Sequence, residues 1–364
     1  MAMIDWCNAF DRQDPTLAIH KFWKMGLRAS LIPILVSYLQ DRRMTVKFRG
    51  SKSSVHRLPG GGPQGSLLGG IEYLVNSNDN ADFADDDEKF KYVDDLSILE
   101  FIALAGLLCD YNFRLHVASD IGVDSYYLPP KSFQMQENLN KITTWTDQNL
   151  MMLNEKKSQY IIFNRAQADF NTRLKLNDNN IEEVHKVRLL GVLLTDDLKF
   201  QKNTEDICKR AFARITMITK LKYVGVLEQD LLKIYKLFIR SLLEYCCVAW
   251  HSSLTQDQSY DIERVQRTAL KVILGDTYQN YEAALKQCNL ETLFSRREHR
   301  CLSFGLKCLK HSKHKTMFPL NPSEGDLYLR DQSKFSVNFA KHSYYQNSAI
   351  PYIQNMLNEH SKKQ

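Results

Sequence analysis

The segment from Phe90 to Leu99 constrains the fold more than any other stretch of this chain. Apolar residues flank two adjacent aspartates, Asp94 and Asp95, on both sides. Two short β-prone runs joined by a two-residue polar turn are typical of a β-hairpin. Aspartate is an ordinary turn residue, because it tolerates the backbone geometry of a tight turn. A rigid hairpin can also present two carboxylates to a divalent cation, and the rest of the sequence must decide between these interpretations.

Composition limits the classes of protein to which the chain can belong. Its 364 residues are 44% hydrophobic, which is enough for two or three packed subdomains. The net charge of +6 permits a polyanionic partner without requiring one. The longest apolar run, 101–109, is about half as long as a membrane helix. Eight cysteines without a regular framework indicate reduced thiols. We therefore expect an intracellular protein of the cytoplasm or nucleus, with no membrane partner and no targeting signal.

The first half of the chain reads as a mixture of strands and helices. A short β-prone run, 2–4, leads directly into Asp5. Asp14 and Pro15 are typical of an N-cap and a first helical residue, and Gly26 is a helix stop. Further helices are predicted at 31–39, 102–109 and 132–150, and further strands at 44–48, 160–163 and 187–194.

A glycine-rich segment spans residues 58–70. So many glycines let a backbone approach a ligand closely, although a flexible surface loop is the commoner fate of such segments. The segment lacks the Gly-Lys-Ser/Thr that ends a phosphate-binding P-loop. Its Pro63-Gln64-Gly65 sequence precedes two leucines, which favours an ordered loop that runs into a helix.

A second aspartate pair, Asp85-Asp86, lies in the acidic segment 76–88. Its flanking residues cannot form a half-buried strand, whereas catalytic carboxylates need rigid support. We therefore assign the site to Asp94 and Asp95 and interpret Asp85-Asp86 as loop.

From Asn203 onward the pattern changes to long amphipathic helices, which predict a compact helical domain. Gly275 is predicted to end the last of them. The three apolar stripes are Ile207, Ala211, Ile215, Ile218 and Leu221, then Leu231, Tyr235, Phe238, Leu242 and Tyr245, then Ile262, Val265, Ala269, Val272 and Ile273.

Asp5 combines with Asp94 and Asp95 to suggest a reaction. Three carboxylates on two adjacent strands can bind two Mg²⁺ ions about 4 Å apart, which is the arrangement for in-line phosphoryl transfer. Mg²⁺ prefers a few carboxylates together with substrate phosphates, so three aspartates without His or Cys suit it.

Several motifs then resemble one family of enzymes. The principal ones are Asp5-x-x-x-Ala9-Phe10-Asp11, Gly61-x-Pro63-Gln64-Gly65-Ser66 and Tyr92-Val93-Asp94-Asp95, in that order. They resemble the successive motifs of a reverse transcriptase palm, and most closely that of non-LTR (LINE-like) retrotransposons. The same family is resembled by Ser37-Tyr38-Leu39-x-x-Arg42-x-x-x-Val46, Leu153-Asn154-x-x-Lys157-Ser158 and Leu190-Gly191-Val192. The resemblance covers roughly residues 1 to 280.

The resemblance implies an α+β fold with a right-hand polymerase architecture. A palm, with an antiparallel sheet flanked by helices, would occupy residues 1–200, and an all-helical thumb residues 201–280. A C-terminal extension, 281–364, would be partly helical with a weakly ordered tail. The implied activity is that of an RNA-directed DNA polymerase, which adds dNTPs to the 3′-hydroxyl of a DNA primer on an RNA template.

The resemblance also implies roles for the matching residues. Asp5, Asp94 and Asp95 would hold two Mg²⁺ ions, for which Mn²⁺ could substitute. Lys157 is a candidate proton donor to pyrophosphate, because an ammonium group near a developing negative charge is a suitable general acid. A solvated lysine with no catalytic role is an equal alternative at this position.

The remaining implied roles concern the nucleotide and the primer. Phe10 would lie under the sugar and exclude a 2′-hydroxyl, which selects deoxynucleotides and disfavours an RNA-dependent RNA polymerase. Gln64 and Gly65 would line the pocket for the incoming nucleotide and template. Leu190 and Gly191 would lie in the hairpin that grips the primer end.

The chain also departs from the family pattern. It begins inside the first catalytic motif, so we expect an N-terminally truncated fragment of a longer element that lacks most of the fingers. Gly62 stands where the family usually has an aliphatic residue. The alternative to an active polymerase is therefore a catalytically dead remnant that still binds nucleic acid.

Two cysteines and two histidines near residue 300 could suggest zinc. The spacing of Cys301, Cys308, His311 and His314 does not match the usual patterns of zinc sites. Cys301 and Cys308 fall on one helix face, and buried thiols often pack as small hydrophobic groups. We therefore predict packing rather than metal binding.

Overall fold

The computed structural model describes two compact units, Met1–His185 and Lys186–Gln364. Gln64, the Asp85-Asp86 pair and the helix predicted at 102–109 lie outside the described residues. The predicted division into palm, thumb and extension stays a prediction. The described residues are 1–63, 65–80, 89–92, 94–100, 134–163, 173–321, 334–337 and 343–362.

The first unit is a mixture of short strands and α-helices. Its elements in chain order are β1 (Ala2–Ile4), α1 (Pro15–Lys24), α2 (Ile32–Leu39), β2 (Arg43–Met44), β3 (Lys47–Phe48), β4 (Ser51–Lys52), β5 (His56–Arg57), α3 (Leu67–Asn76), β6 (Lys89–Tyr92), β7 (Asp95–Ile98), α4 (Met135–Gln148), β8 (Gln159–Tyr160), β9 (Lys175–Leu176), β10 (Asn179–Asn180) and β11 (Glu182–Glu183).

A five-stranded sheet in the order β11-β8-β1-β7-β6 forms the centre of the first unit. Neighbouring strands are antiparallel except β11 and β8, which are parallel. Every second side chain of these strands is apolar and buried, so one face of the sheet packs on the core. The buried residues are Ala2 and Ile4 of β1 and Leu96 and Ile98 of β7. Side chains of α4 pack in the same cluster, including Leu139. The antiparallel-rich sheet with helices agrees with the predicted α+β class.

The predicted hairpin and the predicted first helix are both confirmed. β6 and β7 pair antiparallel, with Tyr92 opposite Asp95. α1 begins after Asp14, whose carboxylate accepts a hydrogen bond from the Leu17 amide at 2.9 Å. Chain segment 44–48, predicted as one strand, is divided between β2 and β3.

The second unit is a hairpin followed by helices. Its elements are β12 (Lys186–Leu189), β13 (Val192–Thr195), α5 (Gln201–Tyr223), α6 (Glu228–Ile234), a π-helix (Tyr235–Arg240), α7 (Ser241–Glu244), α8 (Cys247–Trp250), α9 (Gln256–Leu274), α10 (Tyr281–Gln287), α11 (Leu293–Cys308), α12 (Ser343–Gln346) and α13 (Ala349–Lys362), with short 3₁₀ turns at 251–253, 275–277 and 314–317.

The apolar stripes of α5 and α9 form the core of this unit, as predicted. Ile215 of α5 and Ala269 of α9 are buried in one cluster with Trp250. α9 carries a complete capping box at Thr255 and Gln258, and it ends at Gly275, where φ is 57°.

The middle stripe was predicted wrongly over its second half. Phe238 and Tyr245 are 53% and 54% exposed, whereas Ile239 and Leu243 are fully buried. The π-helix between α6 and α7 explains the difference. Its i→i+5 hydrogen bonds add a residue to the turn, so the buried face moves by one position along the sequence.

Among the described residues, no helix combines the length and apolarity needed to cross a membrane. The predicted packing of the two cysteines is confirmed. Cys301 and Cys308 are buried in an apolar cluster with Phe318 and Ile353, and burial raises the pKa of both thiols.

Candidate active site

The register of the central sheet brings the predicted carboxylates together. Ile4 lies opposite Leu96 in this antiparallel pair, so the residue after Ile4 and the residue before Leu96 place Asp5 opposite Asp95. Asp94 occupies the turn beside it. The sequence predicted that Asp95 would also lie in the turn, but Asp95 is the first residue of β7. Asp5, Asp94 and Asp95 therefore share one end of the two central strands.

Hydrogen bonds from the segment 154–158 fix the position of Asp5. The amide of Asn154 donates to the Asp5 carbonyl at 2.8 Å, and its side-chain Nδ2 donates to Asp5 Oδ2 at 2.9 Å. The hydroxyl of Ser158, which is buried, accepts from the Asp5 amide at 3.1 Å and donates to the Asn154 carbonyl at 3.0 Å. These bonds fix both the backbone and the carboxylate of Asp5.

Lys157 reaches the same carboxylate. Its Nζ lies 3.9 Å from Asp5 Oδ2, and the Lys157 side chain is 73% exposed. The structure therefore brings Lys157 to Asp5, and an exposed ion pair of this length is weak, so the ammonium group can move away from it.

The three carboxylates repel one another electrostatically. Partial loss of hydration raises the pKa of Asp95, and the charges of Asp94 and Asp5 raise it further. The pKa of the Tyr73 phenol is also raised, by burial first and then by Asp94 and Asp95. A site that holds like charges together in this way favours the binding of a cation.

The donor set fits a hard divalent cation, because carboxylate oxygens are the ligands that Mg²⁺ prefers. In the described part of the chain, no three His, Cys, Asp or Glu side chains are grouped so that they could hold a metal ion in their present arrangement. In this arrangement Asp5 Oδ2 is bonded to Asn154.

The glycine-rich segment packs against the motif that follows Asp5. The Gly61 and Gly62 amides donate to the Gln13 and Phe10 carbonyls at 2.8 Å and 3.1 Å. A Cβ at Gly61, where φ is 79°, would lie 2.8 Å from the Cα of Asp11. Only glycine permits this approach, so the described residues of the segment form a defined loop that leads into α3, as predicted.

Phe10 lies at the junction of this segment and α3. Its ring packs on Tyr73 with the ring centroids 4.7 Å apart. Tyr73 is buried and belongs to the same core cluster. The carbonyl of Phe10 is fixed by Gly62, so both the ring and the backbone of Phe10 are positioned by neighbouring elements.

Glu72 occupies the space that a side chain at position 62 would need. A Cβ at Gly62 would collide with Glu72 Oε2 and would lie 3.0 Å from its Cδ. Glu72 is 1% exposed, and neither carboxyl oxygen has a hydrogen-bond partner among the described residues. Burial raises the pKa of Glu72 to about 7, against the opposing charge of Arg42. The departure of Gly62 from the family pattern thus has a structural counterpart in Glu72.

Gly65 and Ser66 form the entrance to α3. Gly65 has φ of 84° with open space around it, and Ser66 caps α3 by accepting from the Gly69 amide at 3.0 Å. Tyr38 of α2 donates to the Ser66 hydroxyl at 2.6 Å.

Leu190 and Gly191 lie in the second unit, at the tip of the β12–β13 hairpin. Both have positive φ, 44° and 86°, which is typical of a two-residue type I′ turn. Tyr245 supports this tip: its hydroxyl donates to the Leu190 carbonyl at 2.7 Å, and a Cβ at Gly191 would lie 3.2 Å from its ring.

Asn154, Ser158 and Tyr245 are positioning residues that the sequence reasoning missed. For the first two a signal was present, because both stand in the motif that contains Lys157. Tyr245 gave no such signal, because its apolar spacing indicated the helical core.

No model of a known protein family matches this chain. The chain is 24% identical, over 289 residues, to a probable RNA-directed DNA polymerase from transposon X-element of Drosophila melanogaster, covering 74% of this chain and 28% of that protein. It is 25% identical, over 249 residues, to the RNA-directed DNA polymerase from mobile element jockey of Drosophila funebris, covering 66% and 25%.

A probable RNA-directed DNA polymerase from transposon BS of Drosophila melanogaster is 25% identical over 223 residues, covering 59% of this chain and 22% of that protein. The chain thus spans about a quarter of the length of the curated relatives that it matches. The resemblance to the RNA-directed DNA polymerases of non-LTR retrotransposons, which the order of the motifs predicted, is confirmed by these relatives.

Proposed function

We propose that this chain carries the polymerase site of a retrotransposon reverse transcriptase. Its reaction would be the addition of a dNTP to the 3′-hydroxyl of a DNA primer on an RNA template. The observation that carries the proposal is the register of β1 and β7, which sets Asp5 beside Asp94 and Asp95. The names of the curated relatives point to the same chemistry.

Asp5, Asp94 and Asp95 would bind two Mg²⁺ ions, or Mn²⁺ in their place. Bound there, the ions would lower the pKa of the primer hydroxyl and neutralise the triphosphate. The repulsion that raises the pKa of Asp95 would be relieved by the incoming charge. The hydrogen bond from Asn154 to Asp5 Oδ2 would either break when the cation binds or remain beside it, since a carboxylate oxygen can accept a hydrogen bond while it faces a cation.

Lys157 would supply a proton to the departing pyrophosphate. Its ammonium lies beside Asp5, on a side chain that is mostly exposed and can therefore reach a bound triphosphate. Asn154 and Ser158 would keep the Asp5 backbone and carboxylate in place during the step.

Phe10 would define the floor under the sugar. Its ring is held by Tyr73 and its carbonyl by Gly62, so its position is fixed before a nucleotide binds. Gly65, with open space around it, would let a base pair approach the backbone, and Gln64 would line the same pocket. In this proposal the first unit is the palm, and the second unit contains the primer-gripping hairpin and the helical thumb.

Extension of a DNA primer on an RNA template, with Mg²⁺ and dNTPs, tests the proposal. The parent chain is compared with an Asp94→Asn/Asp95→Asn variant and with an Asp147→Asn control, which makes the same chemical change at an exposed carboxylate of α4. We expect extension by the parent and the control and its loss in the double variant. A parent that binds the primer–template without extending it would instead be a nucleic-acid-binding remnant.

A further inference from the structure

An arm of the first unit, residues 43–57, is exposed along its whole length. It is one hairpin, in which β2 pairs with β5 and β3 pairs with β4. The pairing register changes by one residue between these two pairs of strands. Every one of its residues is exposed, so neither face of the hairpin is buried by the described residues. A two-stranded hairpin of this kind has little stability of its own in water.

Two cross-strand pairs of the arm carry like charges. Arg43 lies directly opposite Arg57, and Lys47 lies directly opposite Lys52. Directly opposed residues of an antiparallel pair share a face and have their Cβ atoms about 5 Å apart, so like charges there are destabilising. The arm thus concentrates four cations in two facing pairs.

Little in the described structure neutralises these charges. Arg57 is paired with Asp41, and both side chains are largely exposed. Among the described residues, Arg43, Lys47 and Lys52 have no carboxylate within ion-pair distance. A repulsion that is retained without compensation is relieved when an anion lies between or above the cations.

We propose that this arm binds the phosphate backbone of a nucleic acid, outside the active site. Arg43 of β2 and Lys47 of β3 are four residues apart on the same side of the hairpin, and four residues of extended chain span about 13 Å. Guanidinium and ammonium groups bind phosphate oxygens well, and such contacts do not depend on the base sequence. A continuous row of phosphates matches four cations on an open ribbon better than a single small anion does.

The proposal extends the proposed function without depending on catalysis. It concerns binding alone, and it can be measured without divalent metal or dNTPs. If the arm variants below bind as the parent does while the parent extends primers, only this inference fails. A parent that binds no nucleic acid would overturn both.

The first experiment measures the affinity for a fluorescent RNA–DNA hybrid at several salt concentrations. The arm variant is Arg43→Gln/Lys47→Gln/Lys52→Gln. The matched control is Lys286→Gln/Lys307→Gln/Lys310→Gln, which removes the same number of exposed cations from the second unit. Each lost phosphate contact reduces the slope of log K against log salt by about 1. We expect a slope reduced by about 2 to 3 and affinity at least about tenfold weaker in the arm variant, with much smaller changes in the control.

A second variant, Arg43→Glu/Lys47→Glu, separates binding from folding. It converts both like-charged pairs into opposite-charged pairs, so the arm should become more stable while binding becomes weaker than in the glutamine variant. Protection of the Val46 and Ser53 amides from hydrogen exchange reports the stability of the arm. Equal salt slopes in the arm variant and the control, or unchanged binding by the charge-reversal variant, would overturn the proposal, and an acidic protein partner would then be the better occupant.

Discussion

Two buried glutamates, one in each unit, have opposite environments. Glu72 in the first unit is 1% exposed and its carboxyl oxygens have no hydrogen-bond partner among the described residues. Glu244 in the second unit is 4% exposed and is bonded to both Arg296 and Arg300. Glu72, beside the candidate active site, thus lacks hydrogen bonds from the described residues, whereas Glu244, in the helical core, is bonded to two arginines.

The pKa values of these carboxyls move in opposite directions. Burial raises the pKa of Glu72 to about 7. Burial would also raise that of Glu244, but the hydrogen bond and charge of Arg296, together with the charge of Arg300, lower it overall. The pKa of Asp95 is raised as well, in the same direction as that of Glu72. The buried carboxylate of the second unit is therefore stabilised by its partners, whereas the first unit retains carboxyls that cost stability near the site.

Removal of Glu244 should give the largest loss of stability. Glu244→Ala leaves Arg296 and Arg300 without their shared carboxylate, and loss of one partner of a buried pair costs about 3 kcal/mol. Chemical denaturation, with hydrogen exchange in α9 to identify the unit that unfolds, measures the effect. A change at Glu298, which is less buried, serves as the control, and equal effects of Glu244→Ala and Glu298→Ala would contradict the comparison.

Neutralisation of Glu72 should have the opposite sign. A carboxyl whose folded pKa is raised stabilises the folded state only at low pH, so stability falls as pH rises from the unfolded pKa, about 4.3, towards 7. Glu72→Gln should therefore stabilise the first unit by about 3 kcal/mol at pH 8 and have a much smaller effect at pH 4.

The contribution of Glu244 to stability has the opposite pH dependence, so the two variants can be compared directly. Because its folded pKa is lowered, its contribution is present above the unfolded pKa and is lost as pH falls through the folded value. Denaturation of Glu72→Gln and Glu244→Gln from pH 3 to pH 8 measures both trends, because the Glu244 trend lies below its ordinary pKa and the Glu72 trend lies above its own. The same pH trend in the two variants would refute the opposite roles assigned to these groups.

Restoration of an aliphatic residue at position 62 should be tolerated only when Glu72 is shortened. Gly62→Val alone forces a Cβ into the Glu72 carboxyl and should cost about 1.5 kcal/mol. The combination with Glu72→Ala should recover most of that loss. A double-mutant cycle on the free energy of unfolding measures the coupling, and additive effects would show that the two positions do not compete for space.

The smallest effect is expected at Tyr245. Tyr245→Phe removes the hydrogen bond to the Leu190 carbonyl, which is worth about 0.5–1 kcal/mol, and retains the ring beside Gly191. Hydrogen exchange of the β12–β13 amides should increase, with little change in α9. A uniform loss of protection across the second unit would instead assign Tyr245 to the core, as its spacing first suggested.

Local pattern was sufficient for the elements that organise the site. The hairpin at Asp94 and the cap at Asp14 depend on residues within a few positions of each other, so the sequence alone predicted them. The π-helix could not be predicted in this way, because it depends on how one helix meets the whole core. This is why Phe238 was expected inside and Ile239 was not.

The contacts around the candidate site join residues far apart in the sequence. Asn154 is hydrogen-bonded to Asp5, 149 positions away in the sequence. Glu72 of α3 occupies the space that a side chain at position 62 would need. Such contacts follow from strand order and loop path, which alternation of apolar residues does not determine. Gln64 lies outside the described residues, so its predicted place in the nucleotide pocket stays a prediction.

We propose that folding holds Asp5, Asp94 and Asp95 together against their repulsion and that they thereby bind divalent cations. Hydrogen exchange of the β1 and β7 amides, with and without Mg²⁺, tests it in the parent and in Asp94→Asn/Asp95→Asn. A ligand that binds the folded state raises its stability in proportion to the logarithm of its concentration. We predict that Mg²⁺ increases protection in the parent alone, and that the metal-free variant is at least as protected as the metal-free parent. An equal response to Mg²⁺ in both proteins, or a less stable variant, would contradict the claim.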